Sequence, residues 1–174
     1  MPNPDMSSLD APASSRRPLA LAPLIIAAGA AATLAGAWFF QLVIGLAPCP
    51  LCLEQRLPYY AAVPLGLAVA LVARQGHAGL ARFGLALLGL LMLVGFGLAL
   101  YHAGVEWHWW QGPTACSGAA PAAGSANLLQ DLQQARVVRC DEAPWRFLGL
   151  SLAGWNVLIA ATLTLVAVWG VRRR

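Results

Sequence analysis

Four long stretches of this chain hold apolar and small residues and no charge. They are Pro18–Ala47, Leu57–Ala73, about Phe83–Tyr101, and Phe147–Val171. The first runs to about 30 residues, where a tilted spanning helix needs roughly 20. Lipid offers the backbone no hydrogen-bond partner, so an apolar span of this length closes its own bonds as a helix. The fold class implied is an all-α membrane protein, a four-transmembrane-helix bundle with a long loop between its third and fourth spans. Only 10% of the residues are charged and 59% are hydrophobic, against about 25% charged in soluble domains. A net charge of +4 on a soluble chain would suggest nucleic acid. Here all the positive charge is arginine, with no lysine, and most of the arginines flank the apolar runs. Membrane topology accounts for them, and the partner they imply is the lipid bilayer, with no nucleic acid. A cleaved signal peptide competes for the first run, with Arg16-Arg17 ahead of it and Ala35-Gly36-Ala37 as a cleavage site. A signal core spans only about 7–15 residues, and this run continues past that site.

The chain then divides simply. Residues 1–17, rich in Pro, Ser, Ala and Asp, read as a disordered tail. Residues 18–171 form the membrane domain, with spans at about 18–46, 57–73, 83–102 and 147–171 and loops at 47–56 and 103–146. Residues 172–174 are a basic end. Pro58 suits a first helical turn, while Pro64 predicts a kink inside the second span. The connection Arg74–Gly79 is short enough only for a tight turn between antiparallel neighbours. Within the long loop, Leu128–Val138 has the spacing of a short amphipathic helix. Trp107, Trp109, Trp110 and Trp145 bracket that loop at the level where tryptophan favours the lipid–water boundary.

Four spans bring both termini to one side. Arg16, Arg17, Arg74, Arg82, Arg172, Arg173 and Arg174 collect there, whereas five of the seven acids fall opposite. The arginine-rich side is cytoplasmic by the positive-inside rule. All four cysteines, Cys49, Cys52, Cys116 and Cys140, then lie on the non-cytoplasmic side, where disulfides persist.

Cys49 and Cys52 form a Cys-x-x-Cys motif, which can close a disulfide or share a metal. If the motif opens a helix, Cys49, Cys52 and Arg56 share one face. A helix N-terminus and a nearby positive charge both favour thiolate. Two structural staples, 49–52 and 116–140, are the plain alternative. A bridge over about 25 residues is worth about 3 kcal/mol, but a four-residue loop constrains almost nothing. Zinc wants four closed ligands, and Cys116 and Cys140 are too far apart to supply a second knuckle, so no metal is expected. Thiol–disulfide exchange joins the two pairs: the loop pair is within reach of a soluble protein, and the membrane pair within reach of a lipid-soluble oxidant.

The ordered combination Cys49-Pro50-Leu51-Cys52 with Arg56, then Cys116, then Cys140 with Trp145-x-Phe147-Leu148-Gly149-Leu150 and Trp155, resembles the bacterial disulfide bond formation protein B family. The likeness covers about residues 18–171. It implies an inner-membrane protein-dithiol:quinone oxidoreductase that re-oxidises a periplasmic thioredoxin-like oxidase of the DsbA type. By that likeness Cys116 takes the partner in a mixed disulfide, Cys140 is its loop mate, and Cys52 faces the quinone, ubiquinone or menaquinone. Arg56 matches the family's quinone-site arginine, and His102 stands near the place of a quinone-proximal histidine, with His108 as competitor. Gln55 stands where some relatives carry an acid. A vitamin K epoxide reductase-like protein is the nearest rival, but its loop cysteines would precede the Cys-x-x-Cys. A non-enzymatic membrane scaffold with structural disulfides is the rival from another class.

Overall fold

The computed structural model describes residues 13–113 and 139–173. The Leu128–Val138 segment, Cys116 and residues 1–12 of the tail lie outside the described residues. Four helices are long and apolar enough to cross a membrane. They are α1 (Ala13–Leu42), α3 (Leu57–Arg74), α4 (Ala78–Glu106) and α5 (Leu152–Arg172), with a five-residue helix α2 (Pro50–Glu54) leading into α3. The chain is a multi-pass helical membrane protein. α1 packs along α3, α3 along α4, α4 along α5, and α5 back on α1, which closes a four-sided bundle.

The element boundaries follow local chemistry. α1 includes residues 13–17 and passes unbroken through Ala35-Gly36-Ala37. After Leu42 the chain turns at Gly45, whose φ of 79° suits a residue without Cβ. Pro58 lies in the first turn of α3, where its missing N–H removes the bond that would make α2 and α3 one helix. Pro64 sits inside α3. The apolar run from Phe147 does not begin as helix. Arg146–Phe147 (β1) and Leu150–Ser151 (β2) pair as a tight hairpin. Leu148 at φ 52° and Gly149 at φ 82° form its turn. Two consecutive positive φ values match the twist of a two-residue hairpin. Ser151 then caps α5 by accepting the Gly154 N–H at 3.0 Å.

The interior mixes small and large side chains: Ala22, Ala30, Ala62 and Ala81 are fully enclosed together with Ile26, Tyr59, Leu85, Leu88 and Met92, while Leu42, Leu71, Leu80, Leu90 and Leu165 project outward. The small residues let the helix backbones approach closely where they meet. Gly66 is the tightest case between α1 and α3. A Cβ there would lie 2.8 Å from the Pro23 carbonyl oxygen and 2.9 Å from the Ala27 Cβ. A backbone oxygen cannot rotate away. Gly66→Ala is expected to destabilise the bundle by about 1–3 kcal/mol, read as a lower thermal midpoint in detergent. Gly97→Ala, with nothing within 4 Å, should leave that midpoint unmoved.

Candidate functional site

The motif residues are set by the start of α2. Cys49 is the N-cap, extended at φ −75° and ψ 166°, and Pro50 follows in the first turn. The Cys49 Sγ accepts the Cys52 backbone N–H at 3.2 Å. The same turn brings the two sulfurs 2.7 Å apart, with Cys49 donating toward Cys52. Both are free thiols. Hydrogen bonding to Cys52, and then burial, push the Cys49 thiol up from its ordinary value. For Cys49 this reverses the expectation of a lowered pKa, because the cysteine is enclosed and shares its proton.

Three further elements converge on the pair. α4 supplies His102, whose Nε2 lies 3.7 Å from Cys49 Sγ. The two sulfurs and an imidazole nitrogen all fall within 4.8 Å of one another. One turn on, Glu106 Oε1 is 3.9 Å from the same Nε2. From the α5 cap, the Ser151 hydroxyl donates to Glu106 Oε2. The loop before the hairpin brings Cys140, which is disulfide-bonded and packs in one small cluster with Cys49, Leu51 and Val105. The turn carrying Cys140 is braced by Arg139, whose Nε and Nη2 donate to Asp141 at 2.9 and 2.5 Å. Those bonds hold the Asp141 carboxyl down at about 2.

A line of side chains then crosses the bundle. Tyr59 O–H donates to Asn156 Oδ1 at 2.6 Å, and Asn156 Nδ2 donates to Gln55 Oε1 at 2.7 Å. Gln55 Nε2 meets His102 Nδ1 at 2.6 Å. Among the described residues, every buried side-chain nitrogen and oxygen has a partner. Lipid demands this of any polar group enclosed at membrane depth.

Beside the sulfurs lies a cavity of about 680 Å³, bordered by Cys49, Cys52, His102 and Arg56 with apolar walls such as Phe40 and Ile159. Arg56 sits at the α2–α3 junction. Its Nη1 donates to Gln41 Oε1 at 2.7 Å, and its guanidinium carbon lies 5.5 Å from the Trp38 ring centre. His108 takes another course: it turns at φ 60°, and its Nδ1 meets the Val105 carbonyl at 3.2 Å. The structure thus brings together Cys49, Cys52, Arg56 and His102, and sets Cys140 against Cys49. Sequence reasoning missed Glu106, Gln41, Trp38, Asn156 and Tyr59. The only signal for Glu106 was an acid four residues after His102, one helical turn along.

A dithiol at the mouth of an apolar cavity in a four-helix membrane bundle defines a membrane-spanning oxidoreductase. The family model for disulfide bond formation protein DsbB matches residues 19–170. A disulfide bond formation protein B of Marinobacter nauticus is 34% identical over 83% of this chain and 86% of its own length. The like-named protein of Polaromonas naphthalenivorans is 33% identical, covering 97% of this chain and 96% of its own length. No solved structure matches. The chain belongs to the disulfide bond formation protein DsbB family.

Proposed function

We propose that this protein re-oxidises a periplasmic thioredoxin-like dithiol oxidase of the DsbA type and passes the electrons to membrane quinone. The reading is carried by one observation: two adjacent thiols border an apolar cavity of about 680 Å³ whose wall bears the Arg56 guanidinium. The residues fit a quinone. Cavities of about 300–1,000 Å³ with apolar walls and a few polar groups suit small ligands, and a guanidinium is a strong donor to a ring oxygen. When bound, a quinone supplies a sink for two electrons and two protons.

The protein's own steps are exchanges between sulfurs. Partner thiolate attacks Cys116, forming a mixed disulfide and displacing Cys140. A second partner sulfur releases the partner as a disulfide. Cys140 attacks Cys49, opening the Cys49–Cys52 disulfide and freeing Cys52 toward the cavity. Return attack by Cys116 restores the loop disulfide and leaves Cys49 and Cys52 reduced. Each exchange breaks one S–S bond and forms another, so only the last two electrons leave the protein. The packing of Cys140 with Cys49 supports this order, as does the disulfide at Cys140. Arg56 and His102 would hold the quinone beside Cys52. The protein would lie in the bacterial inner membrane, termini in the cytoplasm and cysteines in the periplasm.

The test is to mix purified protein with a reduced thioredoxin-like dithiol partner and ubiquinone or menaquinone. Quinol formation, followed by absorbance, should run in step with loss of partner thiols. Thiol oxidation with no quinol would sink the reading. Labelling intact spheroplasts with an impermeant maleimide tests the sidedness. Cysteines that react only from the cytosol would overturn it.

A further inference from the structure

The hydrogen bonds around His102 run in one direction. The Leu51 carbonyl can only accept, so the atom facing it at 3.2 Å is the Gln55 amide nitrogen. That same nitrogen faces His102 Nδ1 at 2.6 Å, so Nδ1 accepts. Turning Asn156 over would set two oxygens against each other at Gln55, which fixes the other end of the line. A neutral imidazole that accepts at Nδ1 carries its hydrogen on Nε2. Nε2 is the nitrogen that faces Cys49 Sγ at 3.7 Å and Glu106 Oε1 at 3.9 Å. His102 therefore carries its proton on Nε2, where it donates to the Cys140 backbone carbonyl. It has no free lone pair to take a proton from sulfur.

A dithiol that becomes a disulfide must lose two protons, so another acceptor is needed. Around the cavity, Arg56, Arg139 and Arg146 bring only donors, and Glu142 sits exposed beside Arg139. Tyr59 is occupied in donating to Asn156. Glu106 remains. It is buried at 7% exposure and borders the cavity with both cysteines. Its Oε2 is held by Ser151, while Oε1 lies 3.9 Å from His102 Nε2.

We propose that Glu106 is the base that receives a proton from the Cys49–Cys52 dithiol as it is oxidised, while His102, already protonated at Nε2, cannot compete for it. This rests on the quinone reading above. In the balanced step two S–H bonds break and one S–S bond forms. Two electrons and two protons leave the dithiol, and the quinone ends as quinol. Glu106 carries one proton and regains its carboxylate on handing it on; the other leaves from Cys52 within the cavity.

Glu106→Gln is nearly isosteric and keeps an oxygen to accept from Ser151. In pre-reduced protein given quinone at pH 7, its rate of quinol formation should fall about 100-fold. The loss should shrink about tenfold per pH unit as the medium becomes alkaline, because hydroxide replaces the base. Glu106→Asp should recover part of the rate. Iodoacetamide alkylation of the same reduced protein without quinone should be as fast as in the wild type or faster, since a nearby negative charge is gone. ¹⁵N-histidine NMR, assigned with His102→Gln, should show the Nε2–H form of His102. An unchanged rate and pH profile would overturn the assignment, as would equal slowing of alkylation and oxidation, or the Nδ1–H form. Failure of wild-type protein to make quinol would instead strike the functional reading, and this one with it.

Discussion

Cys52→Ser should abolish quinol formation, with a residual rate at least about 10³-fold below the wild type. Serine keeps the size and polarity of the position, and nothing in the helix start depends on the Cys52 side chain, since the cap bond uses its backbone N–H. Folding is therefore expected to survive. What disappears is the second sulfur, 2.7 Å from the first. A hydroxyl neither leaves from nor attacks sulfur at neutral pH, so two electrons have no bond to come from. The variant retains Cys49, beside which Cys140 is packed. Without added partner, the Cys49 thiolate can attack the loop disulfide at Cys140 and release its mate as a thiol, so a bridge between Cys49 and Cys140 should slowly accumulate, visible as one linked peptide after digestion under non-reducing conditions. Full quinone reduction by Cys52→Ser would remove the membrane pair from the mechanism altogether.

The second large effect belongs to Arg56. Its guanidinium is held from two directions, by the Gln41 amide oxygen and over the Trp38 ring. That grip keeps a flexible side chain aimed at the cavity instead of reaching for headgroups. A hydrogen bond to a charged group contributes about 1.5–3 kcal/mol, which converts to about 10- to 150-fold in the apparent requirement for quinone. Arg56→Ala should raise that requirement by this factor. Exchange between the partner and the loop cysteines, followed by stopped-flow fluorescence, should be unchanged. Arg56→Lys should fall between, because it keeps the charge and loses the planar fork. An unaltered quinone dependence in Arg56→Ala would assign this arginine to the bilayer surface instead.

The four-helix bundle was legible in the sequence because lipid leaves an uncharged apolar span few options. Pro58 in a first turn and the turn after Arg74 were legible for similar reasons, since each depends on a few adjacent residues. The cluster of Cys49, Cys52 and Arg56 was legible because eight consecutive residues carry it. Other parts depend on partners remote in the chain. Gln55 meets His102 across 47 positions and Asn156 across 101, and no local pattern announces such a meeting. Glu106 read as one acid among several at the edge of an apolar run, because one-dimensional spacing cannot show a hydroxyl arriving from another helix. The hairpin at Arg146–Ser151 was hidden by its own composition: Phe147, Leu148 and Leu150 read as the beginning of a span. Two positive φ values, one of them on a leucine, are a tertiary fact. His102 and His108 were near equals in sequence. They separate only because α4 continues through Glu106 and leaves His108 in the turn beyond it.

The apolar perimeter has a practical corollary. Large side chains such as Leu42, Leu71, Leu80, Leu90 and Leu165 cover the outside of the helices, where water is a poor substitute for lipid. The bundle's cohesion depends on the surrounding acyl chains filling the outer ridges. Purification in short, mobile surfactants should therefore loosen the assembly before any thiol is touched, whereas nanodiscs or long-chain maltosides should keep it whole. Preparations that lose activity on extraction should regain it when lipid is returned.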